Sequence, residues 1–364
     1  MEAHWKSLIL LLVFRLIVGT DQGNNFTLNL FKEVYNLESD RNFVLSPPII
    51  RATLLFLYLT ANWNAALEIQ QALQLPPDKS EAIVELKNYL VKSIDDRAQL
   101  PVSSQIYRDP SELSDILLEL LDGYIKPEVS LLSYNDDPSA VISVLLKSTY
   151  MPNYNLLIST AFNFSATWRN PFNPQSVRSG MFKFSNGYHQ VSFMKKTARF
   201  GILKLEQLTA LEMLYNSDLS MILVLPNDED VPLSSLVKDF NLKTYRTIDS
   251  RLRQRFVEVA IPRFVVDSSV PLGMSLARMG MVSSFLANAF DFYRYRGSGL
   301  GPMDHVGSIR VLEGGTVEVE EALEDTVPPA LLPSFRADRP FLFLVRNTTS
   351  KDILVIGHHS NFNG

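Results

Sequence analysis

Apolar and polar residues along this chain follow two rhythms, one helical and one of strands. Near the start, Leu30, Phe31, Val34, Tyr35 and Leu37 recur at helical spacing, which predicts an amphipathic helix over 27–37. The run 49–61 carries a single charge, Arg51, and predicts a helix buried on nearly every side. Residues 65–73 form another amphipathic segment that stops before Pro76 and Pro77. From Val102 strands and helices alternate, with a helix expected over 111–122, after Pro110 and with Ser111 placed to cap it. The middle of the chain then turns strand-rich. Runs at 201–206, 211–215, 219–225 and 256–261 are separated by short polar or Pro-bearing turns, and Asn216-Ser217-Asp218 reads as a hairpin turn. A helix over 272–279 is closed by Gly280. Last comes Ser334 to Arg346, a polar turn and then a buried strand. Pro340 can open that strand because a first position need not donate a ladder hydrogen bond, and Phe341, Leu342, Phe343, Leu344 and Val345 continue it.

Composition bounds the function. A chain of 364 residues, 46% apolar, can bury a large core, as one big domain or two ordinary ones. It shows no repeats, low-complexity stretches or obvious linker, and the single domain over 21–364 is what the family resemblance described below implies. A net charge of -5 with no basic block leaves no nucleic-acid footprint. With no cysteine, thiol catalysis, cysteine-based zinc sites and a small disulfide scaffold are excluded, although secretion is not, because a fold of this size needs no staples.

Residues 1–20 read as a secretory signal peptide. Lys6 precedes the apolar run from Leu8 to Phe14, and Val18-Gly19-Thr20 offers small residues for cleavage before Asp21. Arg15 interrupts the run, which is too short for a span of about 20 apolar residues. An uncleaved anchor and a buried helix are the other readings. Three Asn-X-Ser/Thr triplets begin at Asn25, Asn163 and Asn347. Asn163 lies in an apolar stretch and is expected to be buried, which leaves Asn25 and Asn347 as glycan acceptors.

Other constellations invite chemistry. Gly297-Ser298-Gly299-Leu300-Gly301 is not a Gly-x-Gly-x-x-Gly cradle and is expected to be a mobile surface loop. Asp304-His305-Val306 would need Ser46 or Ser298 as a nucleophile, and no Gly-x-Ser-x-Gly elbow supports that. Asn227-Asp228-Glu229-Asp230 lacks the spaced ligands of a calcium loop and reads as a solvated turn. His358-His359 would bind a metal only with ligands from elsewhere, and is read as part of a tail.

Phe335, Ala337, Asp338, Arg339, Pro340, Phe341 and Phe343 together resemble the C-terminal signature of the serpin superfamily. Similarity extends over roughly 24–360. Asn42 to Pro48 resembles the short strand and turn before the serpin central helix, and Trp168, Pro171 and Phe172 match the strand whose tryptophan sits where an inserting loop first enters. Pro262-Arg263-Phe264 resembles the strand before a later helix. The resemblance implies an α+β fold, three β-sheets surrounded by about eight or nine helices, with an exposed reactive loop at about 313–334. It places His305 in a structural hydrogen bond beneath the main sheet, and makes Ser46 another structural position. It implies no enzyme activity, no cofactor and no metal. Its partners would be an extracellular serine protease or another protein or ligand, met by a monomer away from nucleic acid and membrane. Ile49 stands where many serpins have a second serine, and Thr60-Ala61-Asn62-Trp63 replaces a glycine-rich joint.

In serpins the reactive loop is bait for a protease, and in inhibitors the cut loop enters the main sheet as a new strand. Here Glu313-Gly314-Gly315-Thr316 matches the start of the hinge, but Val317-Glu318-Val319-Glu320-Glu321-Ala322 replaces the run of small residues that inhibitors carry. Side chains alternate along a strand, so insertion in the family's register turns Thr316, Glu318, Glu320 and Ala322 inward. A one-residue slip buries Val317 and Val319 instead, together with Glu321. The bait is stiff and short. Counted from the hinge the scissile position falls near Pro329, counted back from Phe335 it falls near Val327, and the candidate region is Val327, Pro328, Pro329, Ala330 and Leu331.

Overall fold

A computed structural model describes residues 21–77, with 79, 82 and 85, then 102–107, 156–184, 187–286, 289–292, 295–298, 300–315 and 332–361. The helix expected over 111–122 lies outside these residues, as do residues 1–20. In the described chain, helices are 21–38 (α1), Pro47–Thr60 (α2), Trp63–Leu73 (α3), Leu233–Asp239 (α4), Leu242–Arg251 (α5) and Gly273–Arg278 (α6). Strands are Phe43–Leu45 (β1), Val102–Tyr107 (β2), Leu156–Phe164 (β3), Arg178–Phe184 (β4), Gly187–Lys204 (β5), Leu208–Leu214 (β6), Leu219–Pro226 (β7), Arg253–Pro262 (β8) and Phe264–Pro271 (β9). Phe290–Phe292 (β10), Tyr295–Ser298 (β11), Leu300–Val311 (β12), Ser334–Arg336 (β13), Phe341–Asn347 (β14) and Ile353–His359 (β15) complete them.

These strands form three sheets. The largest runs β1-β15-β14-β7-β6-β5-β8-β13, with β4 also on β5. A four-stranded sheet runs β2-β3-β12-β9, and β10 pairs with β11. Two hydrophobic clusters share the core between them. One joins α1, α2 and α3 to one face of the large sheet through Phe31, Leu54, Ile222 and Leu344, and the other fills the space between the two large sheets with Phe164, Trp168, Phe264 and Phe343.

Local chemistry sets the element ends. In α2, Pro47 occupies the first turn, where a missing N–H is no loss. Its sole charge, Arg51, is buried and donates to the Leu73 carbonyl at 2.8 Å and to Glu85. Asn62 then caps α3 through the Ala65 N–H, and Gln74 ends that helix in the left-handed region. The replaced joint is therefore a helix cap. Pro340 precedes β14 as the pattern predicts, and Arg339 locks the turn by donating to the Pro226 carbonyl at the end of β7 and to Asp338.

Three expectations are corrected. The described residues of the glycine-bearing segment 297–301 are strand rather than loop, since β11 reaches Ser298 and β12 starts at Leu300, which is 1% exposed. His358 and His359 are not a tail: they end the buried strand β15, opposite Leu342 and Phe341. Their rings sit in aromatic surroundings, His358 against Tyr35 and Phe43 and His359 against Phe264 and Phe341. Asn163 is exposed, because alternation along β3 turns Phe162 and Phe164 inward and Asn163 outward. The turn 227–230 does lie on the surface.

Arg346, at the end of β14, is buried between two carboxylates. It donates to Glu212 at 2.7 Å and to Asp249 at 2.5 Å, and Glu212 also accepts from Ser220. Removing the guanidinium strands Glu212 in the core, so Arg346→Ala should cost about 3–5 kcal/mol in urea unfolding, whereas Lys183→Ala, at a surface pair with Asp230, should leave the urea midpoint nearly unchanged.

Burial holds His305, His358 and His359 neutral, each with its pKa pushed down to about 3. Below its ordinary value near 6.5 a histidine of the unfolded chain takes a proton that the folded one refuses, so stability falls as pH drops from about 6.5 toward 3. Asp304, raised by burial, acts in the opposite sense. Each histidine contributes about 1.4 kcal/mol per pH unit in that window. Replacing His359 with Phe should therefore flatten the stability-versus-pH slope between pH 6 and 5 by roughly a third, read from urea midpoints.

Candidate functional site

The site is the seam between β3 and β12 with the chain that leaves its upper end. These two strands are parallel neighbours, in continuous register from Ile158 opposite Met303 to Phe164 opposite Ile309, with a register shift below, where Leu156 lies opposite Leu300. Any strand inserted into this sheet between them must break that ladder. Along the inner face the seam is lined in pairs: Thr160 with His305, Phe162 with Gly307, and Phe164 with Ile309. Thr160, His305 and Ile309 are all 0% exposed and Phe164 is 1% exposed.

His305 pins the lower part of the seam. Its Nε2 accepts the Ser46 N–H at 2.9 Å, so the remaining proton is on Nδ1, which donates to Thr160 Oγ1 at 2.6 Å. The ring also stacks on Phe162. One side chain thereby ties β12 to β3 and both to the start of α2. Ser46 Oγ donates to the Leu354 carbonyl instead, so His305 and Ser46 are not arranged as base and nucleophile. Ile49, where a second serine was expected by resemblance, is 2% exposed and packs in the same core cluster as Phe162 and Phe164.

At the top, β12 ends at Val311 and the chain reverses. Leu312 N–H donates to the Gly315 carbonyl at 2.7 Å and Gly315 N–H to the Leu312 carbonyl at 3.1 Å, which leaves Glu313 and Gly314 at the tip of the turn. Trp168 holds this turn from beneath. Its backbone N–H donates to Gly314, its indole N–H donates to the Leu312 carbonyl, and its ring stacks on Tyr215 with centroids 4.2 Å apart. Phe172 N–H takes the Glu313 carbonyl at 2.8 Å. The Glu313 carboxylate is buried against Arg263, just before β9.

Gly315 has to be glycine. Its φ is +116°, and a Cβ there would lie 2.2 Å from the Ala166 carbonyl oxygen. The far end of the loop is anchored as well. Ser334, Phe335 and Arg336 form β13 in parallel with β8, Phe335 is buried, and Asp338 and Pro340 lead into Phe341 at the start of β14. Of the hinge, Glu313, Gly314 and Gly315 lie in the turn, while Thr316, Glu318 and Glu320 lie outside the described residues, as do Val327, Pro328, Pro329, Ala330 and Leu331.

Two partnerships were not legible in the sequence. Nothing marked Arg263 as the partner of Glu313, fifty positions away, or Tyr215 as the ring under Trp168. Asn25 is half-buried on α1, and Asn347, the last residue of β14, is half-buried, with its Oδ1 accepting from the Thr349 and Ser350 N–H groups of the turn that follows. Among the described residues no group of three His, Cys, Asp or Glu is placed to hold a metal ion, and no helix is long and apolar enough to cross a membrane.

Gly315→Ala combines strained backbone with a clash against main chain that cannot give way. It should cost at least about 2 kcal/mol and raise the rate of limited proteolysis just beyond the turn. Unchanged urea stability in this variant would show that the turn at 312–315 is not held as described.

Comparison with known proteins places the same features in context. A family model described as Serpin (serine protease inhibitor) matches residues 21–362. Serpin B8 of Bos taurus is 25% identical over 94% of this chain and 98% of its own. Among solved structures, SRPN18 from Anopheles gambiae superposes with a TM-score of 0.83 at 22% identity, covering 96% of this chain and 99% of that one. Human thyroxine-binding globulin complexed with thyroxine also superposes with a TM-score of 0.83, at 20% identity, covering 96% of this chain and 100% of that one.

Proposed function

This chain belongs to the serpin family of serine protease inhibitors, and within it we propose a secreted, non-inhibitory member that acts by binding a protein or small ligand rather than by trapping a protease. One observation carries this reading: the slot an inserting strand would occupy is apolar at the level its glutamates must enter. Phe162, Phe164, Ile309 and Val311 are buried around it, and no cation stands among the described residues that line the inner face there.

Insertion in the family's register sends Glu318 and Glu320 into that slot. A carboxylate buried without a partner costs several kcal/mol or gives up its charge. Two of them offset much of what an added strand would contribute. Insertion also severs the Thr160–His305 bond. The stiff Val327-Pro328-Pro329 bait fits the same reading, since a bond preceding proline is a poor serine-protease substrate. The leader-like residues 1–20 support secretion, and with it an extracellular monomer. That a solved structure of this fold is a thyroxine-binding globulin supports carriage as a use of the scaffold.

The second reading is a working suicide inhibitor of an extracellular serine protease. It is favoured by Glu313-Gly314-Gly315-Thr316, which keeps the start of an inhibitory hinge, and by Trp168 beneath it.

Loop cleavage separates the two. The protein is cut once between Ala322 and Ser334 by a nonspecific protease, the cut is confirmed by mass, and the melting temperature is compared before and after. The wild type should show no rise, while the double variant E318A/E320A should gain a large one, because its hinge is again small and apolar. A large rise in the wild type sinks the non-inhibitory reading and turns the search toward a covalent protease complex.

A further inference from the structure

We infer that Asn163 carries an N-linked glycan on the outer face of the β2-β3-β12-β9 sheet, an inference that rests on the secretory reading above. The triplet Asn163-Phe164-Ser165 has the acceptor pattern. Its neighbours are apolar, yet the strand resolves the apparent conflict: Phe162 is 4% and Phe164 1% exposed, both turned to the core, and Asn163 between them is exposed. Glycan transfer acts on the extended chain before folding, so the demand on the native fold is only that the modified side chain point to water.

That outer face is polar where Asn163 stands. Its register partner across the seam is Ser308, whose hydroxyl donates to Asp267 on β9 at 2.6 Å. Arg310, Asp267 and Ser269 are exposed beside it. A glycan rooted here displaces no apolar packing.

The other two triplets are less open. Asn25 is half-buried on α1 between the buried Asn24 and Phe26, and Asn24 is itself bonded to Lys351 and Ile353. Asn347 is half-buried and uses its side-chain oxygen to close its own turn. Of the three acceptors Asn163 alone is exposed. The sugar would stand on β3, over the strand pair that any inserted strand must part, and would shield this face from partners.

The test expresses residues 21–364 behind an established secretory leader in a eukaryotic host, as wild type and as N25Q, N163Q and N347Q. Wild-type protein from cells and medium is treated with an amidase that removes N-glycans and leaves aspartate, then digested. Most of the peptide spanning 163 should carry Asp in place of Asn, and N163Q should migrate one glycan step ahead of wild type until both are deglycosylated. An unconverted 163 peptide, with N163Q migrating as wild type, overturns the assignment even if N25Q or N347Q loses a step. The same chain with its own residues 1–20 should reach the medium with the same modification. Failure there while the leader fusion is modified overturns the secretory reading, and with it the glycan in the native protein.

Discussion

The hydrogen bond between His305 Nδ1 and Thr160 Oγ1 is the point on which this structure turns. It closes the β3–β12 seam from inside, while the other ring nitrogen takes the Ser46 N–H and so sets the start of α2. Burial keeps the ring neutral, and neutrality is what lets it donate from one side and accept on the other. A protonated ring would donate from both nitrogens and face the Ser46 N–H with no lone pair. Sheet, central helix and seam are thereby coupled through one uncharged side chain.

Function depends on whether that seam can open to admit a strand. Family membership alone does not decide it, because the same fold serves inhibitors and carriers. The decision rests on a mismatch between two parts of the same chain. Insertion in the family's register would turn the hinge glutamates inward, against a seam lined by phenylalanine, isoleucine and valine. A sheet gains from an added strand through its ladder and its apolar contacts, and buried carboxylates oppose both. Beside this, the Glu313–Arg263 pair and the Trp168 clamp hold the start of the loop in a reversed turn.

Much of the fold was legible because its signals are periodic and local. Helix α1, the apolar α2 and the strand after Pro340 followed from spacing and from proline's geometry. Errors arose where one signal masked another. The apolar neighbours of Asn163 suggest burial, although strict alternation on a strand turns the residue between two core phenylalanines outward. His358 and His359 looked like a tail because they come so near the end, yet the apolar run Ile353 to Ile356 carries β15 through them. Long-range partners were out of reach: which carboxylates would meet Arg346, or which cation Glu313, depends on elements brought together only by folding. The hinge chemistry was legible through the family resemblance, which sets glutamates against the small residues that inhibitors carry there, but the apolar seam needed the structure.

The most direct test of this account is a crystal structure of the protein cut once between Ala322 and Ser334. In it β3 and β12 should remain neighbours, with Thr160 opposite His305 and their side chains still bonded. A structure in which residues from Thr316 onward form a strand between them, with Glu318 and Glu320 inside, would contradict it.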